Sequence, residues 1–208
     1  KIGVAQNLHD DLGASVTRVA LLLERAVAAE PASSPAMDRV REGLAVVRGT
    51  MGALDAAVWA VNPDNDTVSE LVSYLGQFVV DFCRSAGFRP VLELPEVAVE
   101  RRLGSEWRHH GVLIVKEAVN NAVKHSGGTE VRLRIVILPD GLELGVSDNG
   151  RGITPNVEQG PGNGLGNLRS RADALCGRLA IEGLAGGGTR VSAFLPWPPE
   201  SESKGGTS

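Results

Sequence analysis

Four short stretches of the chain carry residue types that do chemistry. In "KEAVNNAVKH", Glu117, Asn120, Asn121, Lys124 and His125 punctuate residues 116–125. Glu117 and Asn121 stand four apart, a spacing that projects both side chains from nearly one face of a helix. Adjacent asparagines are poor helix formers, a local cost that hints at a use. "SDNGRGI" sets Asp148 just ahead of Gly150 and Gly152. "GPGNGLGNLRSRA" places Gly160, Gly162, Gly164 and Gly166 before a helix. Such glycines let backbone N–H groups approach phosphate oxygens, and the helix start adds the positive end of its dipole. The fourth stretch, "QNLHDDLGASVTRVALLLERA" at 6–26, sets His9, Asp10 and Asp11 beside an apolar stripe. Each stretch also has a plain reading: a solvated helix face, an Asn-Gly turn, a surface loop, an exposed histidine. The glycine spacing matches neither the G-x-x-x-x-G-K-[ST] phosphate loop nor the G-x-G-x-x-G dinucleotide fingerprint.

The elements that must position these residues follow from periodicity. Leu8, Leu12, Val19 and Leu22, with Ser15 in the intermediate slot, repeat as a helical packing seam. "EPASSP" breaks that helix, and a second seam runs Met37, Val40, Leu44, Val47, Met51, Leu54, Val58 and Val61. The two form a helical hairpin that buries only part of its apolar surface, so a second copy completes a dimeric four-helix bundle. Gly43, Gly49 and Gly52 each cost the second helix about 1 kcal/mol relative to Ala, and close helix approach would account for them. Pro63 in "NPDNDT" marks a boundary. Beyond it come a helix to Gly87, the strand "RPVLELP", a helix over "SEWRHHGVLIVKEAVNNAVKHSG", and the hairpin "EVRLRIVIL"–"LELGVSD". A third helix over "GLGNLRSRADALCG" and the strands "RLAIEG" and "TRVSAFLP" follow. Helices and antiparallel hairpins in this order predict a two-layer α+β sandwich. The organisation is therefore a hairpin domain at 1–62, an α/β domain at 63–196 and a disordered tail at 197–208.

Composition narrows the classes. The chain of 208 residues is 42% hydrophobic, enough for a real core, and its net charge of −4 argues against direct nucleic-acid binding. Cys83 and Cys176 sit far apart in apolar helical contexts and are expected as buried free thiols in a reducing compartment. No apolar run is expected to span a bilayer, and the abrupt start at Lys1 suggests a piece of a longer protein.

An acidic–amide helix, a strand-end aspartate with glycines, and a glycine-rich helix start, in that order, resemble the GHKL (Bergerat) ATPase fold. Sensor histidine kinases, gyrase-like ATPases and heat-shock chaperones share it. "KEAVNNAVKH" looks like the N box, "DNGRG" the first glycine box and "GNGLGN" the second, with "GGGTRV" closing the adenine pocket. The match covers roughly residues 107–196. The resemblance implies ATP and Mg²⁺: Asn121 holding the metal, Glu117 as the acidic N-box residue, and Lys124 and His125 facing the phosphates. Asp148 would accept a hydrogen bond from the adenine amino group, with Thr189 supporting that pocket. Gly150, Gly152, Gly162, Gly164, Leu165 and Gly166 would shape the loops over the nucleotide.

"NLHDDLGASVTRVALLLE" in turn is similar to the phosphoacceptor H box of histidine kinases of the NarL-partner class, with a type 3 dimerisation domain. "VWAVNPDNDTVSELVSYL" looks like that class's domain junction. The resemblance implies a two-component kinase core in which His9 accepts the γ-phosphoryl group and Asp10 orients the imidazole and takes its proton. The product would feed a phosphorelay through an aspartate of a response-regulator receiver domain. A homodimer is implied, and a cytoplasmic location, with any membrane anchor in an upstream sensor region. Relatives often read H-D-x-x-x-Q; here Ala14 fills the glutamine slot, so partner-phosphatase activity by that route should be weak. His109 and His110 are expected to solvate a helix start or else to sit near the nucleotide. Two other readings stay open: a GHKL ATPase that modifies no histidine, and a dimeric scaffold that signals without catalysis.

Overall fold

The structure, a computed structural model, describes residues 16, 19–27, 34–96, 99–153 and 164–198. It divides into two compact units, Lys1–Asn65 and Asp66–Ser208.

In the first unit, helical residues 19–27 (α1) precede α2, Pro35–Val61. Ser34 caps α2, its hydroxyl accepting from the Met37 N–H at 3.1 Å, and Pro35 opens the first turn, where no N–H is needed. Asn62 and Pro63 end it, and a 3₁₀ turn follows at Pro63–Asn65. Ala20, Met37 and Leu44 are buried, yet Val19 and Leu22, both expected in the seam, are 45% and 59% exposed. Leu21, Val46 and Val61 are exposed as well. A Cβ added at Gly43, Gly49 or Gly52 would meet nothing within 4 Å among the described residues. By length and a mean hydropathy of 1.4, α2 is apolar enough to cross a membrane, contrary to the expectation from sequence. Its apolar residues are interrupted by Arg48 and Asp55, so no unbroken apolar run marks it in the sequence.

The second unit opens with Thr67, whose hydroxyl accepts from the Glu70 N–H at 3.2 Å and caps α3, Val68–Ser85. Val68, Leu71, Val72, Leu75, Val79 and Cys83 form its buried stripe, and Gly87 at φ 76° turns the chain out of the helix. The remaining elements are β1 (Arg89–Glu93), α4 (Ser105–His125), β2 (Glu130–Leu138), β3 (Gly141–Asp148), α5 (Gly164–Ala174), β4 (Arg178–Gly183) and β5 (Thr189–Pro196). The five strands lie in the order β1-β2-β3-β5-β4. β1 runs parallel to β2 and the other pairs are antiparallel. The sheet is therefore mixed rather than built of hairpins alone, because α4 carries the chain from β1 back to the same end.

Alternation sends Val131, Leu133 and Ile135 of β2, Leu142, Leu144 and Val146 of β3, and Val191, Ala193 and Leu195 of β5 into the core. Val112, Val115, Val119 and Ala122 of α4 are buried with them, as are Leu168 and Ala172 of α5. The alternate strand positions carry ion pairs: Arg89 with Glu130, Arg132 with Glu93 and Glu130, and Arg134 with Glu93 and Glu143. Trp107 of α4 donates to the Pro196 carbonyl at 3.0 Å and stacks on Trp197 at 6.1 Å, tying the helix to the end of the last strand.

The thiols differ from expectation. Cys83 is buried, and burial pushes its thiol up to about 11. Cys176 is exposed: α5 stops at Ala174, and Cys176 sits at φ 54° in the turn that follows.

Candidate functional site

Two levels of packing build the site in the second unit. On α4, the buried stripe of Val112, Val115, Val119 and Ala122 fixes the helix's rotation. That rotation leaves Glu117, Asn120 and Asn121 half-buried along its flank, with Lys124 and His125 exposed at its end. Beside them the inward register of β3 (Leu142, Leu144, Val146) continues one step further and carries Asp148 into a core position, only 8% exposed. A carboxylate there needs hydrogen bonds to offset its lost hydration. Its Oδ1 accepts from the Gly150 N–H at 2.9 Å and from the Thr189 N–H at 3.3 Å. Both bonds fall on one oxygen, and no described residue bonds Oδ2.

Glycines make this seat. A Cβ at Gly150 would lie 2.2 Å from the Ser126 carbonyl oxygen, and one at Gly188 would lie 2.0 Å from the Asp148 carbonyl oxygen. Gly152, Gly187 and Gly188 have φ of 80°, 89° and 94°, where L side chains are strained. Three backbones thus meet without side chains between them: the end of α4, the turn after β3 and the β4–β5 turn. Ser126, 7% exposed, holds the junction: its hydroxyl accepts from the Gly128 N–H at 2.9 Å, and its carbonyl from the Arg151 N–H at 2.9 Å. Asn149 fastens the other side, its Oδ1 accepting from the N–H groups of Thr129 and Glu130 at 2.8 and 2.9 Å.

The structure therefore brings Asp148, Gly150, Gly152 and the Thr189 amide together, with Glu117, Asn121, Lys124 and His125 sharing α4. Gly164, Leu165 and Gly166 form the first turn of α5. Gly162 lies outside the described residues, as do His9, Asp10 and Ala14. His109 and His110 are half-buried rather than solvated, their rings edge to face at 5.8 Å, because the first turns of α4 already enter the helical layer. Burial, then His110, then the Arg171 guanidinium push His109 below its ordinary value.

Two arginines that the glycine and N-box positions do not announce stand on the helices α4 and α5. Arg171 of α5 is half-buried; burial pushes its guanidinium down and the neighbouring Glu117 carboxylate pulls it back up. Arg108, 3% exposed, is pushed down by burial and pulled back by Asp66. Arg108 stands outside the quoted stretches, and Arg171 lies near the end of the glycine-rich one.

Chemically the seat fits a base with an exocyclic amine, because a fixed carboxylate with an open oxygen accepts from an N–H donor and rejects a carbonyl. The Asn121 amide oxygen suits a hard divalent cation. Among the described residues no group of three or more His, Cys, Asp or Glu could hold a metal ion.

Comparison with known proteins agrees with this arrangement. Residues 110–199 match the family described as "Histidine kinase-, DNA gyrase B-, and HSP90-like ATPase". The chain is 24% identical over 202 residues to sensor protein VraS of Staphylococcus epidermidis, covering 97% of this chain and 57% of that one. It is 31% identical over 205 residues to the nitrate/nitrite sensor protein NarQ of Escherichia coli K12, covering 91% of this chain and 33% of that one. The chain thus spans less than two thirds of either relative. In fold it is similar to the histidine kinase domain of a blue-light-activated histidine kinase from Erythrobacter litoralis. The TM-score is 0.56 at 19% identity, over 87% of this chain and 96% of that one.

Proposed function

We propose that the chain, whose residues 110–199 match the histidine kinase-, gyrase B- and HSP90-like ATPase family and which is similar to the sensor proteins VraS and NarQ, is the catalytic core of a sensor histidine kinase in a two-component system. It binds ATP with Mg²⁺, phosphorylates His9 and hands the phosphoryl group to an aspartate on a response-regulator receiver domain. The observation that carries the reading is the seat of Asp148: a nearly buried carboxylate, tied to two backbone amides through one oxygen, in a cradle only glycines can line.

In this reading Asp148 Oδ2 accepts from the adenine amine, and Gly150, Gly152 and Gly188 keep the base against backbone. Asn121 would hold Mg²⁺, which when bound supplies positive charge against the triphosphate. Lys124 and His125, exposed at the end of α4, attract the phosphates. The neutral His9 imidazole attacks the γ-phosphorus; the N–P bond forms as the bond to ADP breaks, and the ring proton passes to Asp10. Little other covalent work is required, so positioning and charge supply most of the rate. The exposed Val19, Leu21, Leu22 and Val46 support self-association through the helical hairpin. A cytoplasmic location, with any membrane attachment through an upstream sensor region, belongs to the same proposal. Ala14 in place of glutamine leaves no amide to orient water, so dephosphorylation of the partner should be slow.

The test is incubation of the purified chain with γ-labelled ATP and Mg²⁺. Acid-labile, base-stable label on the protein, absent from His9→Gln, is the expected result. Label retained by that variant would remove His9 as acceptor. Phosphate release with no labelled protein would instead assign a plain ATPase.

A further inference from the structure

The turn that carries Asp148 is tied down by the residue that follows it. Pairing of β2 with β3 ends at Val131↔Asp148, so the N–H groups of Glu130 and Thr129 lie beyond the last residue of β3. The Asn149 side chain fills the place of a further strand residue: its Oδ1 accepts from both, at 2.9 and 2.8 Å, and its Nδ2 donates to the Thr129 hydroxyl at 3.2 Å. With those donors satisfied by a side chain, the backbone is released to bend. It bends at once, the Gly150 N–H turning back to Asp148 Oδ1 at 2.9 Å. The receiving segment is itself held: the Thr129 carbonyl accepts from the Arg89 N–H at 2.8 Å, and the Glu130 carboxylate pairs with Arg89 and Arg132. Gly128 makes room, since a Cβ there would lie 2.6 Å from Asn149 Oδ1 and 2.9 Å from the Gly150 nitrogen. In the sequence Asn149 counts only as half of an Asn-Gly turn; in the fold its amide bonds protein groups.

We propose that Asn149 is a positioning residue for base recognition: it anchors the turn to the end of β2 and so fixes the Asp148 carboxylate with its open oxygen set for an exocyclic amine. The proposal rests on the nucleotide reading given above. An untethered turn still offers a base its backbone and apolar contacts, but the carboxylate is no longer preorganised for the amine. The effect therefore falls on selectivity for the amine rather than on binding in general.

The experiment compares the whole wild-type chain with Asn149→Ala and Asn149→Asp. Asn149→Ser, too short to reach both amides, carries the same comparison should the alanine chain not fold. Affinities for ATP and for purine riboside triphosphate, which lacks the exocyclic amine, are measured by calorimetry. Amide exchange at Thr129 and Glu130 is followed by NMR without nucleotide. Asn149→Ala should weaken ATP about tenfold and the analogue by no more than about twofold, so that most of the preference for ATP disappears. Asn149→Asp keeps both acceptor bonds while the Thr129 hydroxyl turns to donate, and should retain ATP affinity within about threefold. Exchange at Thr129 and Glu130 should accelerate in Asn149→Ala and not in Asn149→Asp. Equal loss of both nucleotides would make Asn149 a residue of the fold alone and overturn the proposal. Unchanged ATP affinity in Asn149→Ala would show that Asp148 is placed without it. A wild-type chain with no preference for ATP over the analogue would defeat the adenine reading and this role with it, while the exchange rates still decide whether the side chain anchors the turn.

Discussion

Asp148 concentrates the residue-scale physics. Its burial is tolerable because two amides offset lost hydration on one oxygen, and the other oxygen is left to select a ligand. Asp148→Ala should abolish measurable ATP binding by calorimetry, since the variant loses the one fixed acceptor for an exocyclic amine; unchanged affinity would refute the adenine contact. Cys83 makes a prediction of opposite kind. Its folded-state thiol is raised from 9.0 to about 11 by burial, so the folded chain keeps a proton that the unfolded chain releases first. The resulting stability is complete below pH 9 and is lost as pH rises through about 11, a slope on the order of 2–3 kcal/mol in total. Denaturant titrations across that range should show the slope in the wild type and its reduction in Cys83→Ala.

Elements translate those residues into positions. α4 is amphipathic with an unusual division: a stripe of Val112, Val115, Val119 and Ala122 seals the core, while the flank next to it holds amides and a carboxylate. Rotation of the helix is thereby decided by the valines, and the chemistry follows passively. α3 starts where Thr67 caps it, and Thr67→Ala should destabilise the second unit by about 1 kcal/mol in chemical denaturation without altering nucleotide affinity. A change in affinity would mean that the cap also shapes the site. Period, caps and turn residues made α2, α3, α4 and all five strands legible to within a few residues. α5 ends at Ala174, short of the expected Gly177, because the backbone turns at Cys176 (φ 54°) while Leu175 and Cys176 still continue an apolar pattern. The parallel pairing of β1 with β2 was equally hidden, since alternation looks alike in either direction.

At the scale of the whole molecule, the first unit leaves apolar surface uncovered. Val19, Leu21, Leu22 and Val46 are all about half exposed or more. Fully burying one such side chain contributes roughly 1.5–3 kcal/mol, so a few of them suffice to drive pairing with a second copy. Leu22→Glu should shift the chain toward monomer in analytical ultracentrifugation while the melting of the nucleotide domain is preserved. A dimer of unchanged strength would place the interface elsewhere.

The order of the acidic–amide helix, the Asp148 turn and the glycine boxes was sufficient to point to the ATPase family that residues 110–199 match, because each motif is local: a helical spacing, a strand end, a turn. Composition and heptad spacing were likewise enough to expect a hairpin followed by an α/β domain. Only the tertiary structure decided that Asp148 uses one oxygen for the protein and that Gly150 and Gly188 exist to let backbones touch. Those facts depend on contacts between segments far apart in sequence. No periodicity within a window records which distant backbone or charge will be brought alongside.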